Sequence, residues 1–142
     1  MYTAVPLTFL QIVAPLMVAL GFIAACSLLK EPGRRHFSAI IIAGAGAAYL
    51  NGGLGAWEFA FCALVTFIAY RGIKDYRFIA VGWLLHSIWD VAHHFYGTPI
   101  VPFIPTSSVG CAICDLGLAA WYFLGAPSIY TWLGKRNLGA GT

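Results

Sequence analysis

Long apolar runs, separated by short charged or glycine- and proline-rich breaks, set the pattern of this chain. Five runs read as membrane-spanning α-helices. The first extends from about Ala4 to Leu29 and ends in Lys30-Glu31-Pro32-Gly33-Arg34-Arg35-His36, where charge and turn residues coincide. Pro6 lies near its start, where proline costs little, whereas Pro15 is internal and is expected to kink the helix. The second run spans about Phe37 to Leu50 and reaches towards Asn51-Gly52-Gly53-Leu54-Gly55. Its Ala43, Gly44, Gly46, Ala47 and Ala48 are small residues of the kind that let helix backbones approach closely in lipid.

The third run covers about Ala56 to Ile73, closed by Arg71, Lys74, Asp75 and Arg77, and the fourth about Phe78 to Tyr96. The proline-spaced segment Gly97–Pro105 cannot be a regular helix. Ser107 or Ser108 is placed to cap a fifth run extending to about Leu133, which Gly125-Ala126-Pro127 can bend. The tail Gly134-Lys135-Arg136-Asn137 is polar. The expectation is an all-α, five-span, single-domain integral membrane bundle.

Composition agrees. The 142 residues are 61% hydrophobic and 9% charged, against roughly 25% charged in a soluble domain. Such a chain needs lipid as solvent, and a spanning helix takes about 20 apolar residues. Met1 is followed by Tyr2, Thr3 and Ala4 without a positive n-region, so the first run is expected to stay as a helix and not to be cleaved as a signal peptide.

The net charge of +3 does not point to nucleic acid, because the basic residues sit in clusters beside apolar runs. Lys30, Arg34 and Arg35 lie between the first two runs, Arg71, Lys74 and Arg77 between the third and fourth, and Lys135 and Arg136 after the fifth. Five spans place all eight on one side, which the positive-inside rule makes cytoplasmic. The N-terminus is then outside, the C-terminus in the cytoplasm, and the location the inner cell membrane. A four-span arrangement, with runs two and three as a re-entrant hairpin, opposes Lys30 and Arg71 to Lys135 and fits less well. Tyr70, Tyr76, Tyr130 and Trp132 at the inner interface, and Trp57 and Tyr96 at the outer, fit aromatic belts.

Candidate chemistry gathers on the fourth run, Trp83-Leu84-Leu85-His86-Ser87-Ile88-Trp89-Asp90-Val91-Ala92-His93-His94-Phe95-Tyr96. At about 100° per residue, His86, His93 and His94 lie about −40°, −60° and +40° from Asp90. One helix face is therefore ionisable, although four residues share such an arc by chance roughly one time in ten. Ionisable groups at membrane depth are costly and mark function by default. Glu58 and His94 fall near the outer interface, Asp90 and Cys111 deeper, and His86 and Asp115 deepest, roughly 12–15 Å down. A half-site open to the outside follows, if runs three, four and five bring these groups together.

Three readings stay open. Histidine and carboxylate donors suit zinc, iron or manganese, with His86, Asp90 and His93 or His94 on one helix and Asp115 or Glu58 on another. An open coordination position would activate water for hydrolysis of a lipid-like substrate. Alternatively Glu58, Asp90 and Asp115 act without metal as acids and bases, or pass protons or metal ions in a transporter. The third reading is an accessory or structural subunit in which His–Asp pairs are interhelical glue. Homo-oligomerisation through the small-residue face is compatible with each.

The Cys111-Ala112-Ile113-Cys114 pair resembles the redox motif of membrane thiol oxidoreductases, but the outward loops hold no cysteine to relay a disulfide. Haem and nucleotide are not expected, since three histidines share one run and His36 sits at the opposite end. Four histidines are also too few for a membrane desaturase. The overall pattern resembles an uncharacterised class of small bacterial multi-span proteins and matches no family of known activity. In residue types alone it is similar to the membrane hydrolases that include alkaline ceramidases. Those have seven spans and take histidines from more than one helix, so no residue role is carried over.

Overall fold

The computed structural model describes residues 7–131. Five helices follow in order: α1 (Phe9–Ser27), α2 (Gly33–Gly46), α3 (Ala56–Gly72), α4 (Tyr76–Tyr96) and α5 (Ser107–Phe123). No strand occurs among the described residues. The all-α class is observed, and each apolar run holds one of these helices; in the fifth, residues 129–131 are helical again after a break. Among the described residues α1 alone is long and apolar enough to cross a membrane, and α5 is apolar but shorter. Ala4, Pro6, Trp132, Leu133 and the Gly134–Asn137 tail with Lys135 and Arg136 lie outside the described residues.

Local chemistry explains the helix ends. Thr8 opens α1 with a capping box: its hydroxyl accepts from Gln11 N, and the Gln11 side chain accepts from Thr8 N. Pro15 sits inside α1 without ending it. Helix α2 begins at Gly33, earlier than the sequence suggests, and stops at Gly46. Ala47, Ala48 and Leu50 then continue in tight i→i−3 turns.

Helix α5 ends at Phe123 and not near Leu133. Gly125 (φ 82°) and Ala126 (φ 49°) turn into the left-handed region. Ala126 N donates to Trp121 O and Gly125 N to Tyr122 O, the paired bonds of a Schellman stop. Neither serine caps α5, whose N-cap Thr106 makes no side-chain capping bond. Ser107 Oγ instead donates to Ile104 O at 2.7 Å, and Ser108 Oγ accepts from Ile100 N at 3.2 Å. The prolines leave the preceding segment irregular, and its backbone groups take the serine hydroxyls that a cap would have used.

Helix α4 is the centre of the bundle. It packs along α5 and against α3 and α2, while α1 lies on α5 and α2 on α3. Small residues set the approach distances. A Cβ on Gly46 would stand 2.9 Å from Val65, and one on Gly82 2.9 Å from Ile42. The buried face of α4 carries Ile79, Trp83, His86, Asp90 and His93 at three- and four-residue steps. The buried face of α5 carries Ser108, Ala112, Asp115, Leu118 and Tyr122. The polar members of the two stripes fall at matching levels.

One cation ties the other end of the bundle. Arg34 is buried and donates to Cys26 O (3.2 Å), to Leu29 O (2.8 Å) and to Ala126 O (2.7 Å). The first carbonyl belongs to the last turn of α1 and also accepts Leu29 N, the second lies just beyond that helix, and the third is in the turn after α5. Arg34→Met should lower stability by about 1–3 kcal/mol, because the buried Ala126 O and the partly buried Leu29 O lose their donor together. Thermal unfolding in detergent reads this as a lowered midpoint, and an unchanged midpoint would reject the clamp.

Candidate metal centre between α4 and α5

His86 stands at the centre. Its Nε2 lies 2.8 Å from Ala45 O near the end of α2. A carbonyl only accepts, so Nε2 carries a proton and Nδ1 faces the other way. Nδ1 is 2.8 Å from Asp115 Oδ2 and 3.4 Å from Asp90 Oδ2. The three residues are 3%, 0% and 4% exposed (His86, Asp90, Asp115). Their donor atoms all lie within 4.8 Å of one another, so this group could hold a metal ion.

Asp90 is held asymmetrically. Its Oδ1 accepts the Tyr49 hydroxyl at 2.6 Å, and that hydroxyl lies 3.0 Å from Ser108 Oγ. Its Oδ2, completely buried, has no hydrogen-bond partner. An unpartnered carboxylate oxygen in a closed interior is costly unless a cation faces it. Two carboxylates and one imidazole nitrogen converging there make a donor set suited to zinc, manganese or iron. Ser87 Oγ donates to Ala112 O at 3.0 Å and locks α4 to α5 beside the site.

Glu58 and His93 lie together elsewhere. Glu58 Oε2 accepts Asn51 N at 2.6 Å and Oε1 accepts Leu54 N at 2.8 Å, so the carboxylate organises the loop between α2 and α3. His93 Nε2 is 3.7 Å from Glu58 Oε1, and the His93 ring stacks on Tyr49 at 3.8 Å between centroids. His94 is half-buried with its ring 5.0 Å from that of Phe95. Neither His93, His94 nor Glu58 belongs to the group of three. Cys111 and Cys114 are free, half-buried thiols.

The residues gathered from the sequence thus divide. His86, Asp90 and Asp115 converge, and Glu58 pairs with His93. Tyr49 was not among them, although it is 3% exposed and touches both sets. Its signal was slight: one hydroxyl-bearing ring after a run of small residues, just before the Asn51–Gly55 loop.

Comparison with known proteins adds the family. Residues 10–128 match the profile of DUF6010, a family of unknown function, and the chain belongs to it. The match runs from the second residue of α1 to just beyond the stop of α5, so both polar groups lie within it. No curated protein and no solved structure matches the chain.

Tyr49→Phe should cost about 1–3 kcal/mol of stability, since it leaves a second buried oxygen of Asp90 unpaired. In a cycle with Asp90→Asn the two changes should couple by about 0.5–3 kcal/mol. Strict additivity in thermal or denaturant unfolding would show that the Tyr49–Asp90 bond carries no weight.

Proposed function

We propose that this member of a family of unknown function is a five-span inner-membrane bundle, N-terminus outside and C-terminus cytoplasmic, that binds one divalent metal ion at His86, Asp90 and Asp115. The observation that carries the metal is the buried Asp90 Oδ2, which lacks any hydrogen-bond partner while it faces His86 Nδ1.

An inverted surface supports the membrane reading. Phe9, Leu10, Val18, Phe59, Phe67 and Ile88 are each more than half exposed, whereas Glu58, His86, Asp90, His93 and Asp115 are buried. Water selects the opposite arrangement, and lipid selects this one. Helix α2 is about 21 Å long, and the turns through Leu50 lengthen it towards the roughly 30 Å of a hydrocarbon core.

The reaction proposed is hydrolysis of a lipid-like substrate. Three protein donors on zinc leave a position for water, which such an ion acidifies towards neutrality. A second reading, cation or proton transport, draws on the enclosure of the same three side chains. An occluded site suits an ion in transit, and intramembrane Asp and His residues are the usual relay groups.

Metal content of the detergent-purified protein decides first. At least one equivalent of zinc, iron or manganese is expected, and a loss of affinity in His86→Ala and in Asp115→Asn of at least about tenfold, the size seen even for an outer-shell partner. A folded protein that takes up no metal sinks the metal reading and leaves proton movement to be tested in liposomes with Asp90→Asn. Reporters at Thr98 and Lys74 should label from opposite sides of the membrane, and labelling from one side would reject five spans.

A further inference from the structure

We propose a second cation site, formed by Glu58 and His93 under the α2–α3 loop and separate from the deeper centre. The His93 tautomer follows from its surroundings. Nδ1 lies 3.1 Å from Trp89 O, one turn back along α4. That carbonyl only accepts, so Nδ1 carries a proton, and the neutral ring presents a lone pair at Nε2. His93 is completely buried, and its Nε2 has no hydrogen-bond partner.

The atom facing that lone pair is Glu58 Oε1 at 3.7 Å. This is too long for a hydrogen bond, yet it suits two ligands of one small ion. Donors about 2.1 Å from a zinc-sized ion, with about 110–125° between them, stand about 3.4–3.7 Å apart. The two loop N–H groups leave each carboxylate oxygen of Glu58 with a lone pair to spare. One neutral imidazole and one carboxylate are the donor types of a borderline divalent cation such as zinc.

The surroundings suit such an ion. Glu58 lines a cleft of about 330 Å³ with Asn51, Gly53, Gly55 and Phe59, so water can complete the coordination from that side. Glycine keeps the other side clear. A Cβ on Gly52 would stand 2.7 Å from His93 Nε2, and one on Gly97 2.6 Å from His93 Cδ2. Thr98 N and its hydroxyl both donate to Gly52 O, which holds the two glycine-bearing loops together above the ring. Behind His93, the stacked Tyr49 bonds to Asp90. The outer site is therefore joined to the deeper centre through Tyr49, and it stands whether or not that centre binds metal.

Zinc binding to the full chain in detergent, measured by equilibrium dialysis, tests this. The wild type should bind two ions. His93→Phe keeps a ring against Tyr49 and leaves the Glu58 loop bonds intact, so it should bind one. His86→Ala should also bind one, and the double variant none. Two ions bound by folded His93→Phe at wild-type affinity overturn the proposal. If the wild type binds a single ion, its loss in His93→Phe but not in His86→Ala supports the outer site and removes the deeper one, and the reverse pattern overturns the outer site. Should His93→Phe not fold, Gly52→Ala takes its place. Crowding of Nε2 should weaken one ion at least tenfold and spare the other, and unchanged binding of both overturns the proposal.

Discussion

Two carboxylates buried against one imidazole form the constraint around which the rest of the structure is arranged. Neither Asp90 nor Asp115 can shed its charge into water, and the proton on His86 Nε2 is already committed to Ala45 O. Whatever neutralises the pair, a proton on Nδ1 or on a carboxylate or a metal ion beside them, sits between α4 and α5. Much of the nearby packing serves that spot. Ser87 Oγ binds α4 to the backbone of α5 one turn from Asp115, and Tyr49 fixes one oxygen of Asp90 so that the other points inward. The end of α2 contributes a carbonyl, and the negative end of its dipole favours positive charge on the imidazole.

The two ends of the bundle use one device with opposite signs. Arg34 gathers carbonyls from the end of α1 and from the turn after α5. Glu58 gathers the N–H groups of Asn51 and Leu54, in a loop where Asn51 and Gly53 adopt positive φ. Each side chain replaces the water that those backbone groups would otherwise need. A basic residue that the sequence offers as a topology signal thus does structural work, and a carboxylate that looks catalytic by type holds a loop.

These double uses explain what was legible in the sequence. Hydrophobic runs and their breaks place all five helices, and α3 and α4 start and stop within about two residues of the reading, because charged or glycine-rich segments bound them sharply. The stop of α5 was harder. Gly125, Ala126 and Pro127 look like a bend, and only the paired Schellman bonds of Gly125 and Ala126 make an end there. The level of His86, Asp90 and Asp115 followed from counting along helices, but their convergence depends on rotation about two helix axes, which spacing within one helix does not contain. Tyr49 escaped notice for the same reason. Its importance lies in a contact forty-one positions away in sequence.

Burial separates His93 from His94 in a way their adjacency conceals. Consecutive helix positions differ by about 100°, so one ring enters the bundle and the other lies along its edge. The inward ring lies beneath glycine backbone from two loops and on the face of Tyr49. A position that only had to fill space there could be an apolar ring, with no nitrogen left unpartnered. The same reasoning applies to Asp90, where a carboxylate is kept although an amide would meet Tyr49 with less charge to bury. Two unsatisfied donor atoms, Nε2 of His93 and Oδ2 of Asp90, thus stand on either side of one tyrosine. Each of the two faces an ionisable group just beyond hydrogen-bond length, His86 Nδ1 at 3.4 Å and Glu58 Oε1 at 3.7 Å, so a proton or a cation shared with that group would complete either one.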